Sequence, residues 1–292
     1  KGTTVDFDSL AELGSGAFKL TATTGNVNLG ANARVDVAGR SVRFFDVEKP
    51  SWGGTAEFVS DAGDVNFNTG AQVNVSAAAG GDAGTLLVRA TNGRFNVASG
   101  SVQGQTPQDE QNQRGEGARA RIDVGTLADF SILNSAFNAG GFDGERSLRV
   151  RTGDVTIART DTVKAQVIHI SADGADLQNP DGNIHVAGTL DASGGSAGRI
   201  APHAGNDLNV QSTATLDARA TGAGEDGGTV ELGSRDGTLK LVGGTLQLID
   251  GTLKPVGGSQ IKLAGGTGGD GGTLHLRAAR DSNNVKLKVR DF

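Results

Sequence analysis

The chain has 292 residues, with 47 Gly, 5 Pro, 1 Trp and no Cys, Met or Tyr, and its 27 Lys and Arg against 33 Asp and Glu give a net charge of −6. That composition excludes a collagen, which needs Gly at every third position with abundant Pro, and it excludes a disulfide scaffold or a thiolate zinc site. No apolar run is long enough for a membrane-spanning helix, and an acidic chain without a basic cluster suits neither nucleic acid nor membrane insertion.

Apolar residues make up 36% of the chain and recur regularly, which argues against disorder. Aromatic residues are only 4%, so the core is expected to be built from Val, Ile, Leu and Ala. Such a core fits a thin, elongated body better than a thick globule. The absence of Cys fits a cytosolic protein that needs none, or a bacterial exported protein that crosses an envelope unfolded. The sequence opens at Lys1 without a signal peptide, so it reads as a processed or excised segment.

Taken in chain order, one short unit recurs: Gly, a polar residue, then apolar–polar–apolar. It appears as Gly25-Asn26-Val27-Asn28-Leu29, Gly63-Asp64-Val65-Asn66-Phe67, Gly93-Arg94-Phe95-Asn96-Val97 and Gly153-Asp154-Val155-Thr156-Ile157. It returns as Gly182-Asn183-Ile184-His185-Val186, Asn206-Asp207-Leu208-Asn209-Val210 and Gly237-Thr238-Leu239-Lys240-Leu241. From 65 through 95, 155, 184 and 208 to 239 the steps are 30, 60, 29, 24 and 31, a repeat near thirty with one copy obscured around 125. A Gly-Thr-led strand precedes the unit at Gly54-Thr55, Gly84-Thr85, Gly228-Thr229 and Gly272-Thr273. A third short pair follows it at Val35/Val37, Val73/Val75, Val163, Leu216 and Leu246/Leu248.

Alternation with period two places alternate side chains on one face, and Gly, Asn and Asp at the strand ends turn the chain. Three short strands per repeat of constant length predict an all-β parallel β-helix, a solenoid of roughly three short strands per rung over 1–292 as a single domain. An antiparallel sandwich or barrel is the competing architecture. No sustained helical periodicity is found.

Three insertions interrupt the repeat, near 45–53, 103–117 and 129–145. The first carries Trp52 beside Glu48 and Lys49, a candidate sugar or protein contact. The second, Gln103 to Gly117, is polar and Gln-rich and reads as an exposed, mobile loop. The third holds Phe130, Phe137 and Phe142 and is expected to form a short extra strand pair packed on the solenoid. Insertions on a solenoid face often bind, so Phe137 and Phe142 join Trp52, Glu48 and Lys49 as candidate contact residues. The alternating Val285, Lys286, Leu287, Lys288, Val289 and Arg290 near the end, and the first residues Lys1 to Leu10, form no obvious cap. Uncapped ends predict continuation of the solenoid or head-to-tail self-association into filaments.

Chemistry is sparse. His169, His185, His203 and His275 fall in different repeats, His185 and His275 at outward positions, and no metal site is expected. Gly265-Gly266-Thr267-Gly268-Gly269-Asp270 resembles the start of a calcium-binding nonapeptide, but without tandem copies it reads as a corner turn. Asp64 and Asp154 occupy equivalent slots in distant repeats. Asp123, Asp129 and Asp143, flanked by Arg119, Arg121, Arg146, Arg149 and Arg151, are the one place for a carboxylate site, near 119–151. They support an alternative reading as a β-helical polysaccharide lyase or glycoside hydrolase. No nucleophilic triad, phosphate loop or cofactor motif is present.

Residues 269–281, Gly228-Thr229-Val230-Glu231-Leu232, residues 25–37 and residues 188–195 together resemble repeats of filamentous haemagglutinin-like exoproteins, the large adhesins of two-partner secretion. The resemblance spans most of residues 14–281. It implies a right-handed parallel β-helix, export through an outer-membrane transporter partner, and a secreted or surface location on a Gram-negative bacterium. It further implies surface adhesion or matrix scaffolding, and the leading expectation is a non-enzymatic extracellular segment of an adhesin, or a subunit of a cell-surface or matrix filament, with host or matrix glycans or proteins as partners. The family's Asn-Pro-Asn-type secretion motif has only the partial counterpart Asn179-Pro180-Asp181-Gly182, so the segment is expected to lie outside the secretion domain.

Overall fold

A computed structural model of the chain describes residues 2–174, 180–249, 252–280 and 289–290. The chain divides into two compact units, residues 1–148 and 149–292. Each is mostly β, with short parallel strands distributed over several sheets, a solenoid-type arrangement.

In the first unit the chain runs through β1 (Val5–Phe7), β2 (Leu10–Glu12), β3 (Ala17–Ala22), β4 (Val27–Leu29) and β5 (Arg34–Asp36). A hairpin of β6 (Ser41–Phe44) and β7 (Val47–Pro50) follows. Then come β8 (Thr55–Ser60), β9 (Val65–Phe67), β10 (Gln72–Asn74), β11 (Thr85–Ala90), β12 (Phe95–Val97), β13 (Val102–Gln103) and β14 (Arg119–Val124). Helix α1 (Phe130–Gly140) precedes β15 (Glu145–Val150).

Three sheets result. β3, β8, β11 and β14 pair in parallel with Ala17, Thr55, Thr85 and Arg119 in register. β1, β4, β9 and β12 pair through Val5, Val27, Val65 and Phe95. β2, β5, β10 and β13 form the third sheet, with Ala11, Val35, Val73 and Val102 in register.

The second unit holds β16 (Val155–Ile157), β17 (Thr162–Lys164), β18 (Val167–Ala172), β19 (Ile184–Val186), β20 (Thr189–Asp191) and β21 (Arg199–Ala204). It continues with β22 (Leu208–Val210), β23 (Thr215–Asp217), β24 (Thr229–Ser234) and β25 (Leu239–Leu241). A hairpin of β26 (Gly243–Ile249) and β27 (Thr252–Gly258) precedes β28 (Gln260–Lys262), β29 (Thr273–Arg277) and β30 (Val289–Arg290). Val155, Ile184, Leu208 and Leu239 share a register column, as do Val163, Leu190, Leu216 and Ile261, and Ile168, Ile200, Val230 and Leu274.

The recurring motif has a physical cause at each position. Its polar residue stacks at a corner. Asn26 Oδ1 accepts the Asp64 N–H at 2.8 Å, and Asp64 Oδ1 accepts the Arg94 N–H at 2.7 Å. In the second unit Asp154 receives Asn183, Asn183 receives Asp207, and Asp207 receives Thr238, at 2.9, 3.0 and 2.6 Å. Each side chain satisfies a backbone donor one repeat later that a turn would otherwise leave unpaired.

The Gly-Thr pair works in the same way. The carbonyl of Gly54 accepts the Thr85 N–H at 2.9 Å, and that of Gly228 accepts the Thr273 N–H at 2.8 Å. A Cβ on Gly84 would stand 2.0 Å from the Gly54 oxygen, and one on Gly272 2.0 Å from the Gly228 oxygen. Only glycine permits that approach.

The cores of the two units differ. A chain of ring contacts in the first links Phe7, Phe18, Phe58, Phe67 and Phe95, with successive centroids 5.3, 6.0, 4.8 and 5.0 Å apart. All Phe except Phe292 precede residue 149, and the second core is filled by Ile157, Ile168, Ile184, Leu190, Ile200, Leu208 and Leu216 instead. The expected aliphatic core thus describes the second unit, whereas aromatic edge-to-face packing runs through the first.

Two expectations are corrected. Residues 129–145 do not form an extra strand pair: α1 occupies 130–140, capped by Asp129, whose side chain accepts the Ser131 and Ile132 N–H groups, and ended by Gly141 at φ +78°. The step of 60 is therefore no obscured copy, because α1 stands where a strand of the second sheet would lie. Leu246 and Leu248 likewise lie in the antiparallel β26–β27 hairpin, and the third-sheet strand is β28.

Candidate functional site

Hairpin β6–β7 is the most exposed apolar feature among the described residues. Its antiparallel pairs are Ser41–Pro50, Val42–Lys49, Arg43–Glu48 and Phe44–Val47. Paired residues share a face, so Val42, Phe44, Val47 and the Lys49 stem form one side, and Arg43 and Glu48 lie on the other. Glu48 and Lys49 therefore point to opposite faces. Phe45 sits at the tip, 99% exposed and at φ +56°, and Phe44 is 60% exposed. The base is held by Ser51: its N–H donates to the Arg40 carbonyl at 2.8 Å, and its hydroxyl accepts the Arg40 N–H at 2.7 Å. Trp52, 66% exposed, follows directly. The sequence analysis names Trp52, Glu48 and Lys49 as candidate contacts but not Phe44 and Phe45, whose adjacency to Asp46 at a tight turn was the available signal.

Phe137 and Phe142 are placed differently. They are 4% and 1% exposed, with ring centroids 5.2 Å apart, and they pack α1 down rather than face solvent. The loop after β13 is partly ordered by stacking. The Gln105 and Pro107 carbonyls accept the N–H groups of Ala77 and Gly80, and Thr106 is buried.

The charged residues near 119–151 have structural partners. Asp129 caps α1, and Asp143 pairs with Arg114. Arg119 pairs with Glu116, and Arg121 makes a two-pronged pair with Glu145 at 2.8 and 2.7 Å. In the second unit Arg149 pairs with Asp173 at 2.7 Å. Arg146 points inward, 7% exposed, and donates to the Phe142 carbonyl at 2.7 Å and to Asn134 Oδ1 of α1 at 2.9 Å. Burial pulls its guanidinium down to about 10, with Asp143 acting in the opposite direction, so it stays cationic at neutral pH.

In the second unit His169 and His203 meet on the outer face of β18 and β21, ring centroids 5.5 Å apart. The two-residue offset that brings them together was not legible from their spacing of 34. Burial, and then the neighbouring His169, hold the His203 imidazole below its usual value. The Glu231 carboxyl lies below its usual range because Arg199 donates to it at 2.6 Å.

Among the described residues no group of three or more His, Asp or Glu is arranged to hold a metal ion. The Gly-rich segment 265–270 stacks as a turn, with the Asp270 N–H donating to Asp226 Oδ1 at 2.8 Å. Asn179 and residues 285–288 lie outside the described residues, while Asp181 Oδ2 accepts the Gly153 N–H at 2.6 Å. No helix among the described residues is long and apolar enough to cross a membrane, which leaves strand-built barrels unaddressed. No protein-family model, curated protein or solved structure matches the chain.

Proposed function

We propose that each unit is a right-handed parallel β-helix with about three strands per coil, and that the chain is a non-enzymatic structural and adhesive protein. In this reading it is a segment of a filamentous haemagglutinin-like surface adhesin or a subunit of a cell-surface or matrix filament. Export runs through an outer-membrane partner of a Gram-negative bacterium, and contacts are made to host or matrix glycans or proteins.

The observation that carries the reading is the β6–β7 hairpin. Isolated two-stranded hairpins are marginal in water, and this one offers Val42, Phe44, Phe45 and Val47 to solvent with Trp52 at its base. The outward faces of the sheets, by contrast, carry side-chain hydrogen bonds such as the amide row Asp6–Asn28–Asn66–Asn96 on β1, β4, β9 and β12, in which each Asn Nδ2 donates to the preceding side chain at 2.7 Å, and cross-strand ion pairs such as Lys19–Glu57 and Arg199–Glu231. A repeat body whose sheet faces carry such polar pairs, with one projecting apolar hairpin among the described residues, suits mechanical display of a contact.

Beads coated with the full chain are expected to adhere to cultured epithelial cells or to immobilised matrix glycans. The triple variant Phe44→Ser, Phe45→Ser, Trp52→Ala is expected to lose most of that adhesion with its melting temperature unchanged. Equal adhesion by the variant would overturn the role of the hairpin. Release of sugar fragments from polysaccharide by the intact chain would overturn the non-enzymatic reading and favour a hydrolase or lyase.

A further inference from the structure

Three of the four histidines stand on one face of the second unit, the outward face of β18, β21, β24 and β29. Alternation puts Ile168, Ile200, Val230 and Leu232 in the core and turns their neighbours outward. One outward row runs through Ser171, His203, Gly233 and Arg277, in register across the four strands. The row beside it sets His169 next to Ala201, and Glu231 next to His275. Gly233 decides how the first row is used. A Cβ there would stand 2.4 Å from His203 Cδ2, so the His203 ring leans across β24 toward Arg277.

Charge on this face is unbalanced at one place. Arg149, Arg199 and Arg235 each hold a carboxylate, on Asp173, Glu231 and Asp236. Arg277 is exposed on β29 and has no ion-pair partner among the described residues. His203 beside it is kept neutral at neutral pH by burial first and then by His169; Arg277 and Arg199 add to this, and Glu231 opposes it. An anion seated between His203 and Arg277 reverses that balance and lets the imidazole take up a proton. The rest of the face is hydroxyl and imidazole, from Ser171, Thr229, Thr273 and His275. Protein interfaces are anchored by large apolar and aromatic side chains, and among the outward positions of these four strands only Val167 is of that kind. Such a surface suits a hydroxyl-rich anionic polymer.

We propose that this face binds a carboxylate-bearing polysaccharide, a chain of uronic acid units, with one carboxylate between Arg277 and His203 and neighbouring hydroxyls on His275, Glu231 and the threonines. The Arg199–Glu231 pair already makes the same contact within the chain, a guanidinium holding a carboxylate on this face at 2.6 Å. From β18 to β29 the strands span about 14 Å, which suits an extended polymer better than a lone ion. The imidazole joins Arg277 as a second cation only when protonated, so binding tightens as pH falls. The surface is separate from the β6–β7 hairpin, and the inference does not rest on the adhesive reading.

The test is calorimetric titration of the full chain with a galacturonate oligomer at about pH 7.5 and about pH 5.5, on either side of the ordinary histidine value. The methyl ester of the same oligomer supplies the sugar without the charge, and polyglutamate of similar length supplies the charge without the sugar. The oligomer is expected to bind saturably and about tenfold more tightly at the lower pH. Both controls are expected to bind at least about tenfold more weakly than the oligomer. Arg277→Gln is expected to lose about tenfold at both pH values with its melting temperature unchanged. His203→Gln is expected to keep the affinity at the higher pH and lose the gain at the lower. If that variant folds poorly, NMR of the parent decides, because the His203 ring should titrate at higher pH when the oligomer is present. The triple hairpin variant should bind as the parent does. Absence of saturable binding, equal binding of the ester, equal or tighter binding of polyglutamate, an affinity independent of pH, an unmoved His203 titration, loss of binding in the hairpin variant, or full binding by Arg277→Gln would each overturn the proposal.

Discussion

A glycine and an asparagine account for much of the repeat at the level of single residues. Gly84→Ala places a methyl 2.0 Å from a backbone oxygen that cannot retreat without breaking its bond to Thr85. The expected loss is about 3 kcal/mol or more, toward the upper end for overpacked sites. Gly195→Ala, with nothing within 4 Å of the added carbon, is expected to stay within about 0.5 kcal/mol of the parent, and urea unfolding of both variants checks the contrast. Asn66→Ala removes the central link of the amide row and is expected to cost about 1–2 kcal/mol in the same measurement.

His203 gives a pH dependence with a defined sign. Its folded-state imidazole is held below the unfolded value, so the unfolded chain takes up the proton first as pH falls. Stability should therefore decline as pH drops below about 6.5, before the carboxylates titrate. Glu231, depressed by Arg199, contributes stability that is present above its unfolded value and lost only at lower pH. His169, Glu231, Arg199 and Arg277 are the charged or titratable groups acting on His203. Melting curves of His203→Gln between pH 7 and about 5 should be flatter than those of the parent; an unchanged slope would remove His203 as the cause.

Among the elements, α1 is the one whose cost and origin can be separated. Asp129→Ala strips the cap from the Ser131 and Ile132 N–H groups and should cost about 1 kcal/mol. Arg146→Met keeps the length of the side chain but leaves Asn134 Oδ1 and the Phe142 carbonyl without this donor, and should cost about 1–3 kcal/mol. Both losses can be read from thermal unfolding followed by circular dichroism. The strands were legible because period-two alternation and the thirty-residue spacing follow from the register itself: the steps from 65 to 95 and from 155 through 184 and 208 to 239 are the pairings Val65–Phe95, Val155–Ile184, Ile184–Leu208 and Leu208–Leu239. The helix was not. It has 11 residues, and Phe, Ile, Ser and Asn are weak helix formers, so packing of Leu133, Ala136 and Phe137 decides its state against local preference. Asp129 and the Gly140-Gly141 pair were its only local signals. The candidate contacts divide likewise. The exposure of Trp52 was legible from a lone aromatic in a polar setting, whereas the burial of Phe137 and Phe142 depends on a fold that hydrophobicity alone cannot distinguish from exposure.

At the scale of the molecule, the two units share corner chemistry but not core chemistry. Asn and Asp columns and glycine stacks recur in both, while Phe rings link the sheets of the first and Ile and Leu fill the second. Parallel, in-register stacking is thus maintained by the backbone corners and tolerates different fillings. The absence of native Cys allows that stacking to be tested without background. Adjacent register partners in a parallel pair lie close enough for a disulfide, about 4.4–6.8 Å between Cα atoms. The measurement is disulfide formation under mild oxidation in two double variants, Glu57→Cys with Leu87→Cys in the first unit and His185→Cys with Asn209→Cys in the second. Both pairs should close within the folded monomer, and Glu57→Cys with Val88→Cys, whose side chains point to opposite faces, should not. Failure of the in-register pairs to close in folded protein, or equal closure of the mismatched pair, would contradict the parallel repeat on which the account stands.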